Sequence, residues 1–287
     1  MGGLDTVDPE PGTLFSVTGL VAVVTGGGTG IGRWMARALA LHGAEKVYIL
    51  GRRLESLEEC ASSVDTGNII PIQCNITTKD DLERAAAQVA DQAGFINLLC
   101  CNAGVPGPRS AVRPATSTID EFVAAQWAVS AEDYAGTFLV NDTATWFTCI
   151  AFLRLLDAGN KKGSVSQSSQ IIATASVAAF NRATPGNFAY AQSKVAVVHM
   201  MKQLATGLAP HKIRANVICP GVFPTDLSTW SVSAGMLTSG NFPAGRFGEE
   251  RDIAGVILFL ASAAGAHVNG NVMVVDGGSI GTLPSTY

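Results

Sequence analysis

"GLVAVVTGGGTGIGRWMARAL", residues 19–39, joins an apolar run to a helical pattern through a cluster of glycines. The run "VAVVT" is too continuously apolar for a half-exposed strand, so it predicts a strand covered on both faces. After Thr25 the glycines fall at Gly26, Gly30 and Gly32, a G-x-x-x-G-x-G spacing with Gly28, Thr29 and Ile31 between them. Without a Cβ, glycine permits a tight turn and close backbone approach to a ligand. The start of the following helix adds unpaired N–H groups and a partial positive charge. Alone, such a cluster reads equally well as a plain strand-to-helix connection. At the first crossover of an alternating chain it reads as the pyrophosphate turn of a dinucleotide site. No Gly-Lys-Ser/Thr follows, which argues against a P-loop.

The same rhythm continues outward. "KVYILGR" and "LESLEECASSV" form the next strand-helix pair, and "NIIPIQCNI" precedes "TKDDLERAAAQVADQAG". "INLLCCNAG", "SQIIATAS", "IRANVICPG" and "NVMVVDGG" supply further short apolar strands. Strands alternating with helices predict βαβ units, and hence an α/β fold with one doubly wound parallel sheet and helices on both faces. No linker divides the chain. We therefore expect a flexible arm over residues 1–15 and a single domain over 16–287. Two stretches break the rhythm. "DAGNKKGSVSQSSQ", residues 157–170, reads as a surface loop. Residues 105–136, rich in proline and arginine, read as an insertion near a site or a decorated loop.

Composition narrows the function classes. The chain has 287 residues, 47% of them hydrophobic, and a net charge of −4 without any basic run. This supports a sizeable core and argues against nucleic acid as a partner. Cys60, Cys74, Cys100, Cys101, Cys149 and Cys219 show neither CxxC pairs nor metal spacing with histidine, so no metal site is expected. Most lie in apolar runs, as small hydrophobes in a reducing, cytoplasmic setting. No apolar stretch is long and clean enough to span a bilayer, and no signal peptide opens the chain. Gly2 and Thr6 fit the loose myristoylation pattern, which with acidic Asp5 inside it reads as coincidence.

Cofactor choice should be decided where "VYILGRR" ends. A protein that reads an unmodified ribose places an acid there; here Gly51 stands at that point, followed by Arg52 and Arg53. A guanidinium can pair with a 2′-phosphate that a carboxylate would repel. Two solvated arginines opening a surface helix would look the same in isolation. With the acid missing, the pattern favours NADP(H) over NAD(H).

Taken in order, "TGGGTGIG", "NAG" at Asn102–Gly104, Asn141, Ser176, "YAQSK" at Tyr190–Lys194, "PGVFPT" at Pro220–Thr225 and "VDGG" closing on Asp276–Gly278 resemble the short-chain dehydrogenase/reductase family. The resemblance covers nearly all the chain after the arm. It implies a catalytic tetrad of Asn141, Ser176, Tyr190 and Lys194. Tyr190 would exchange the proton, helped by the Lys194 ammonium, because a phenol with a pKa near 10 is a reluctant acid at neutral pH. Ser176 would orient the substrate oxygen, and Asn141 would hold a water relaying protons from Lys194. Asn102, Ala103 and Gly104 would lie beside the adenosine. Asn75, where the family usually has an acid, would accept from the adenine amino group, with Ile76 next to it. Pro220, Gly221, Val222 and Thr225 would border the nicotinamide. Residues 222–247 would form a substrate lid, with Trp230, Met236 and Phe242 as an apolar wall. The implied activity is NADP(H)-dependent hydride transfer to or from a small-molecule carbonyl or secondary alcohol. Alternatives are reduction of an imine or conjugated system, non-redox chemistry, or cofactor sensing without turnover. A homodimer or homotetramer is expected through the helices carrying Asn141 and "YAQSK".

Overall fold

The computed structural model describes residues 10–183, 186–228, 240 and 242–287. Its centre is a seven-stranded sheet in the order β3-β2-β1-β4-β5-β6-β7. The strands are β1 (Val21–Thr25), β2 (Lys46–Gly51), β3 (Ile69–Gln73), β4 (Leu98–Cys101), β5 (Gln170–Thr174), β6 (Arg214–Pro220) and β7 (Val272–Val275). All neighbours pair in parallel. This is the doubly wound Rossmann arrangement that the alternation of short apolar runs and helices predicts.

Alternation along each strand divides the core into two layers. Val21 and Val23 face one side with Tyr48, Leu99 and Ile171; Ala22 and Val24 face the other with Ile49, Leu98 and Ile172. The first layer is covered by α4 (Lys79–Gln92), α7 (Ala144–Lys162) and α8 (Phe188–Gly207). The second is covered by α2 (Gly30–Leu41), α3 (Leu54–Ser62) and α9 (Glu250–Ala261). Cys100 and Cys101 sit on opposite layers, and all six cysteines are buried and free. Both faces of the central strands are therefore dry, which explains their unbroken apolar sequences.

The chain order reverses between β1 and β4, which pair directly. Loops leaving the carboxyl ends of these two strands must part to opposite faces, and a crevice opens between them.

Three details differ from the sequence reading. Pro11–Leu14 forms a helical turn, α1, within the expected arm, while residues 1–9, with Gly2 and Thr6, lie outside the described residues. Asp157–Lys162 belong to α7 rather than to a loop; the helix stops only at Gly163, whose φ of 63° supplies a left-handed cap. The 105–136 insertion contains two helices, α5 (Ile119–Trp127) and α6 (Ala131–Phe138). A reciprocal Thr118–Glu121 capping box starts α5, and Ser130 caps α6.

Candidate active site

A cleft of about 530 Å³ lies at the carboxyl ends of the strands. Gly26, Gly28, Thr29, Gly30 and Ile31 line its floor at the start of α2. Gly26 and Gly30 have φ of 66° and 52°, where a side chain would be strained. Gly32 plays a different part. It does not line the cleft, and a Cβ there would collide with the Gly26 carbonyl and the Asn102 side chain. Its bareness lets α2 pack under the turn. Thr29, the N-cap of α2, makes no side-chain capping bond, so the first helical N–H groups stay available to an anion.

Arg52 and Arg53 are exposed and border one end of the cleft, with Gly51 between them and the sheet. No carboxylate occupies the end of β2. Asn75 and Ile76 line the same region. The Asn75 amide oxygen, assigned from the sequence to an adenine amino group, already accepts from Thr77 N at 3.2 Å and Thr77 Oγ1 at 2.9 Å. These bonds shape the turn after β3.

Asn102 ties three strands together. Its N–H donates to Thr25 Oγ1 at 3.0 Å, its Nδ2 to Thr25 O at 3.2 Å, and its Oδ1 accepts from Thr174 Oγ1 at 3.1 Å. It lines the cleft with Ala103 and Gly104. A Cβ on Gly104 would stand 3.0 Å from Asn141 Oδ1 and 3.4 Å from Lys194 Nζ, so glycine here keeps room for both side chains.

Ser176, Tyr190 and Lys194 meet on the cleft wall. The Ser176 hydroxyl lies close enough to the Tyr190 phenol to favour its phenolate. Lys194 is 4% exposed; its Nζ donates to Thr174 O at 2.8 Å and lies 5.7 Å from the Tyr190 ring centre. Burial pushes the Lys194 ammonium down to about 8. Tyr190 is pushed up by burial, against a smaller opposing effect of the Ser176 hydroxyl. The sequence reading has the ammonium drawing the phenol down; in this arrangement desolvation of the phenolate moves it the other way.

Asn141 does not line the cleft. It sits in a π-helical turn, Leu139–Thr143, between α6 and α7, and is 1% exposed. Its Oδ1 accepts from Val105 N at 2.8 Å, while Nδ2 donates to Val105 O at 3.0 Å and Ser193 Oγ at 3.0 Å. The side chain thus clasps the loop after β4 to α8.

Pro220, Gly221, Val222 and Thr225 line the cleft after β6. Gly221 packs on Asp276, where a Cβ would come within 2.7 Å. The Asp276 carboxylate accepts from Gly278 N at 2.9 Å and Ile280 N at 2.6 Å, which accounts for the "VDGG" stretch as a turn. Thr225 touches Gly30 across the cleft. Of the expected lid, Phe242 lines the cleft, whereas Trp230 and Met236 lie outside the described residues.

Several lining residues escaped the sequence reading. Val105, Pro106 and Arg109 show that the insertion does shape the cleft, and Asn187, Ser279 and Leu283 complete that side. Leu283 is held by the chain beyond it. Arg182 N donates to Pro284 O at 2.8 Å, Thr286 N donates to Phe180 O at 3.0 Å, and the Tyr287 and Phe180 rings lie 5.0 Å apart. The capping signature at Thr118 was readable beforehand; the return of the carboxyl-terminal segment to Phe180 had no local signal.

Among the described residues no group of histidine, cysteine or acidic side chains could hold a metal ion, and no helix is long and apolar enough to cross a membrane. Residues 26–279 match a family model described as enoyl-(acyl carrier protein) reductase. The chain is 47% identical over 281 residues to short-chain dehydrogenase/reductase PhomF of Diaporthe leptostromiformis, covering 96% of each chain. It superposes on the RhlG/NADP active-site complex of Pseudomonas aeruginosa with a TM-score of 0.80 at 27% identity, covering 93% of this chain and 98% of that one. A 3-ketoacyl-(acyl-carrier-protein) reductase from Brucella melitensis, complexed with NADH, gives 0.79 at 26% identity, covering 92% and 100%.

Proposed function

The chain belongs to the short-chain dehydrogenase/reductase family of oxidoreductases, and we propose that it is an NADP(H)-dependent member acting on a carbonyl or secondary alcohol. One observation carries this reading: Ser176, Tyr190 and Lys194 line the same cleft that holds the glycine turn, with the Lys194 ammonium 5.7 Å from the Tyr190 ring centre. The cleft also fits the cofactor. Gly26 and Gly30 adopt backbone that side chains resist, the α2 N-terminus is uncapped, and Gly51 followed by Arg52 stands where a ribose-binding acid would be.

In this reading the α2 N-terminus takes the pyrophosphate, Arg52 and Arg53 a 2′-phosphate, and Pro220, Gly221, Val222 and Thr225 the nicotinamide. The bound nicotinamide would supply or accept hydride. Ser176 and Tyr190 together hold the substrate oxygen. In the reductive direction Tyr190 gives its proton to that oxygen; in the oxidative direction it takes the proton back. Lys194 keeps a positive charge near the ring and favours the phenolate left behind. Two hydroxyls converging on one oxygen suit a carbonyl better than a carbon–carbon double bond.

Leu139, Trp146 and Ile150 beside and along α7, and Val195 on α8, are exposed apolar side chains, which suits a homodimer or homotetramer. Six free, buried cysteines suit a reducing cytoplasm.

Tyr190→Phe tests the assignment. Turnover with NADPH should fall at least about a hundredfold, the usual contribution of a general acid, while NADPH fluorescence titration stays within about twofold of wild type, well under 1 kcal/mol. A cofactor-sensing protein would show no turnover before or after the change.

A further inference from the structure

The amino end of α8 stands in the cleft wall, and the insertion packs directly against the residue before it. Ser110 N donates to Gly186 O at 2.9 Å, and Gly186 has a φ of 86°. A Cβ on Gly186 would collide with the Ser110 carbonyl, so this contact requires glycine. The next residue, Asn187, lines the cleft one helical turn ahead of Tyr190 and begins the helix that carries it. Side chains one turn apart on a helix stand about 5–6 Å from each other, so a group that meets Asn187 lies a few bonds from the oxygen that Tyr190 protonates.

Asn187 is unusual in its surroundings. It occupies the N-cap of α8, where asparagine is among the strongest capping residues, yet its side chain makes no capping bond. The residue is 8% exposed, and its Oδ1 is buried without a hydrogen-bond partner among the described residues. Buried amides are almost always satisfied, and an exception in a cleft wall points to a ligand that completes it. The missing partner is a donor, because Oδ1 can only accept. Carboxylates, ethers and ketones offer no donor and are excluded. An ammonium would donate, but it would stand at the positive end of α8 and in the same wall as the buried Lys194 ammonium. A neutral N–H would donate without accepting. A hydroxyl does both: it donates without charge, and its lone pairs suit a helix end whose first N–H groups receive no bond from the cap side chain.

We propose that Asn187 reads a hydroxyl on the substrate and selects carbonyl compounds that carry one about four bonds from the reacting carbon. The hydroxyl donates to Asn187 Oδ1 while Ser176 and Tyr190 hold the carbonyl oxygen. Two anchors on one rigid molecule fix its direction in the cleft, so Asn187 acts on binding and orientation and takes no part in proton transfer. The proposal rests on the reduction assigned to Tyr190, but its binding component can be measured separately.

The test compares 3-hydroxybenzaldehyde with 3-methoxybenzaldehyde, following NADPH consumption by the full chain. The two substituents draw on the carbonyl almost equally, and the ether keeps the oxygen while lacking the donor. Wild type should favour the hydroxy compound about fivefold or more in kcat/KM, the size of one neutral hydrogen bond. Asn187→Leu, of similar shape without an acceptor, should bring the ratio close to one through the KM of the hydroxy compound. Asn187→Asp, which keeps an acceptor at the same reach, should retain the preference. Because the ratio is taken within each variant, general damage to the fold cancels. A wild-type ratio near or below one, a ratio unchanged in Asn187→Leu, or a preference lost equally in Asn187→Asp overturns the proposal and leaves the oxidoreductase reading intact. If neither aldehyde is reduced, 3-hydroxybenzamide and 3-methoxybenzamide are titrated into the enzyme–NADPH complex and followed by cofactor fluorescence. A preference for the hydroxy compound that Asn187→Leu removes supports the acceptor role while counting against the assigned reduction; no preference overturns the acceptor role as well.

Discussion

Replacing Lys194 by methionine should make the protein more stable and catalytically dead. The lysine is almost wholly buried, and burial takes its ammonium from 10.5 to about 8. At about 1.4 kcal/mol per tenfold change in proton affinity, that penalises the charged form by about 3 kcal/mol at neutral pH. Methionine has a similar length without charge and fills irregular space well. The substitution also leaves Thr174 O without the Nζ donor, at a loss of about 1–2 kcal/mol. The balance is a gain of about 1–2 kcal/mol, or roughly 2–4 °C per kcal/mol in Tm for a domain of this size. The sign with pH follows from linkage. Because the folded pKa lies below the unfolded one, the unfolded chain binds more protons between about 8 and 10.5. Wild type therefore gains stability as pH rises through that window, and the advantage of the variant narrows. Urea unfolding at pH 7, 8.5 and 9.5, without cofactor, measures the gap, and NADPH oxidation at pH 7 measures turnover. A variant less stable than wild type at pH 7, or a gap that stays constant to pH 9.5, would refute the claim that the cation is held against its own desolvation.

Arg52→Ala should raise the Kd for NADPH about tenfold or more and that for NADH by less than about twofold, since only the former loses a charge-assisted bond; equal losses would return Arg52 to the solvent. Trp146→Asp places a charge in the exposed face of α7 and should shift sedimentation at micromolar concentration to monomer, and an unchanged profile would move any interface elsewhere. Leu283→Trp should raise KM for bulky ketones while leaving NADPH affinity alone, because the side chain lines the cleft from the segment paired with Phe180–Arg182; an effect on cofactor affinity would refute that placement.

The sheet was legible because its central strands are covered on both faces and so write unbroken apolar runs. The glycine turn was legible for the same local reason: φ values of 66° and 52° exclude most other residues. Elements set by local chemistry were also readable where they were overlooked. Lys161, Lys162 and Gly163 spell a helix end, which extends α7 beyond the apparent loop. Thr118 followed by Glu121 spells a helix start inside the insertion. What stayed illegible depends on distant segments meeting. Asn187 reads as an ordinary helix cap until the insertion packs on Gly186, and Leu283 reads as tail until its neighbours pair with Phe180 and Arg182. Tyr190 is similar: its proton affinity follows from depth of burial, which no four-residue spacing encodes.

The role of Asn141 follows from the same distinction. Its Nδ2 donates to Ser193 Oγ, and that hydroxyl donates to the Tyr190 carbonyl at 2.8 Å. Its remaining bonds hold Val105, the first residue of the insertion. One buried amide thus couples the backbone of Tyr190 to the root of the insertion. Asn141 sits within the π-helical turn at Leu139–Thr143, the kind of helix irregularity that often marks a functional site. A fully satisfied buried network resists shear more than an apolar contact of the same area, because any displacement leaves several polar groups unpaired at once. Asparagine is therefore required here by position and hydrogen-bonding capacity, whether or not it also holds a water.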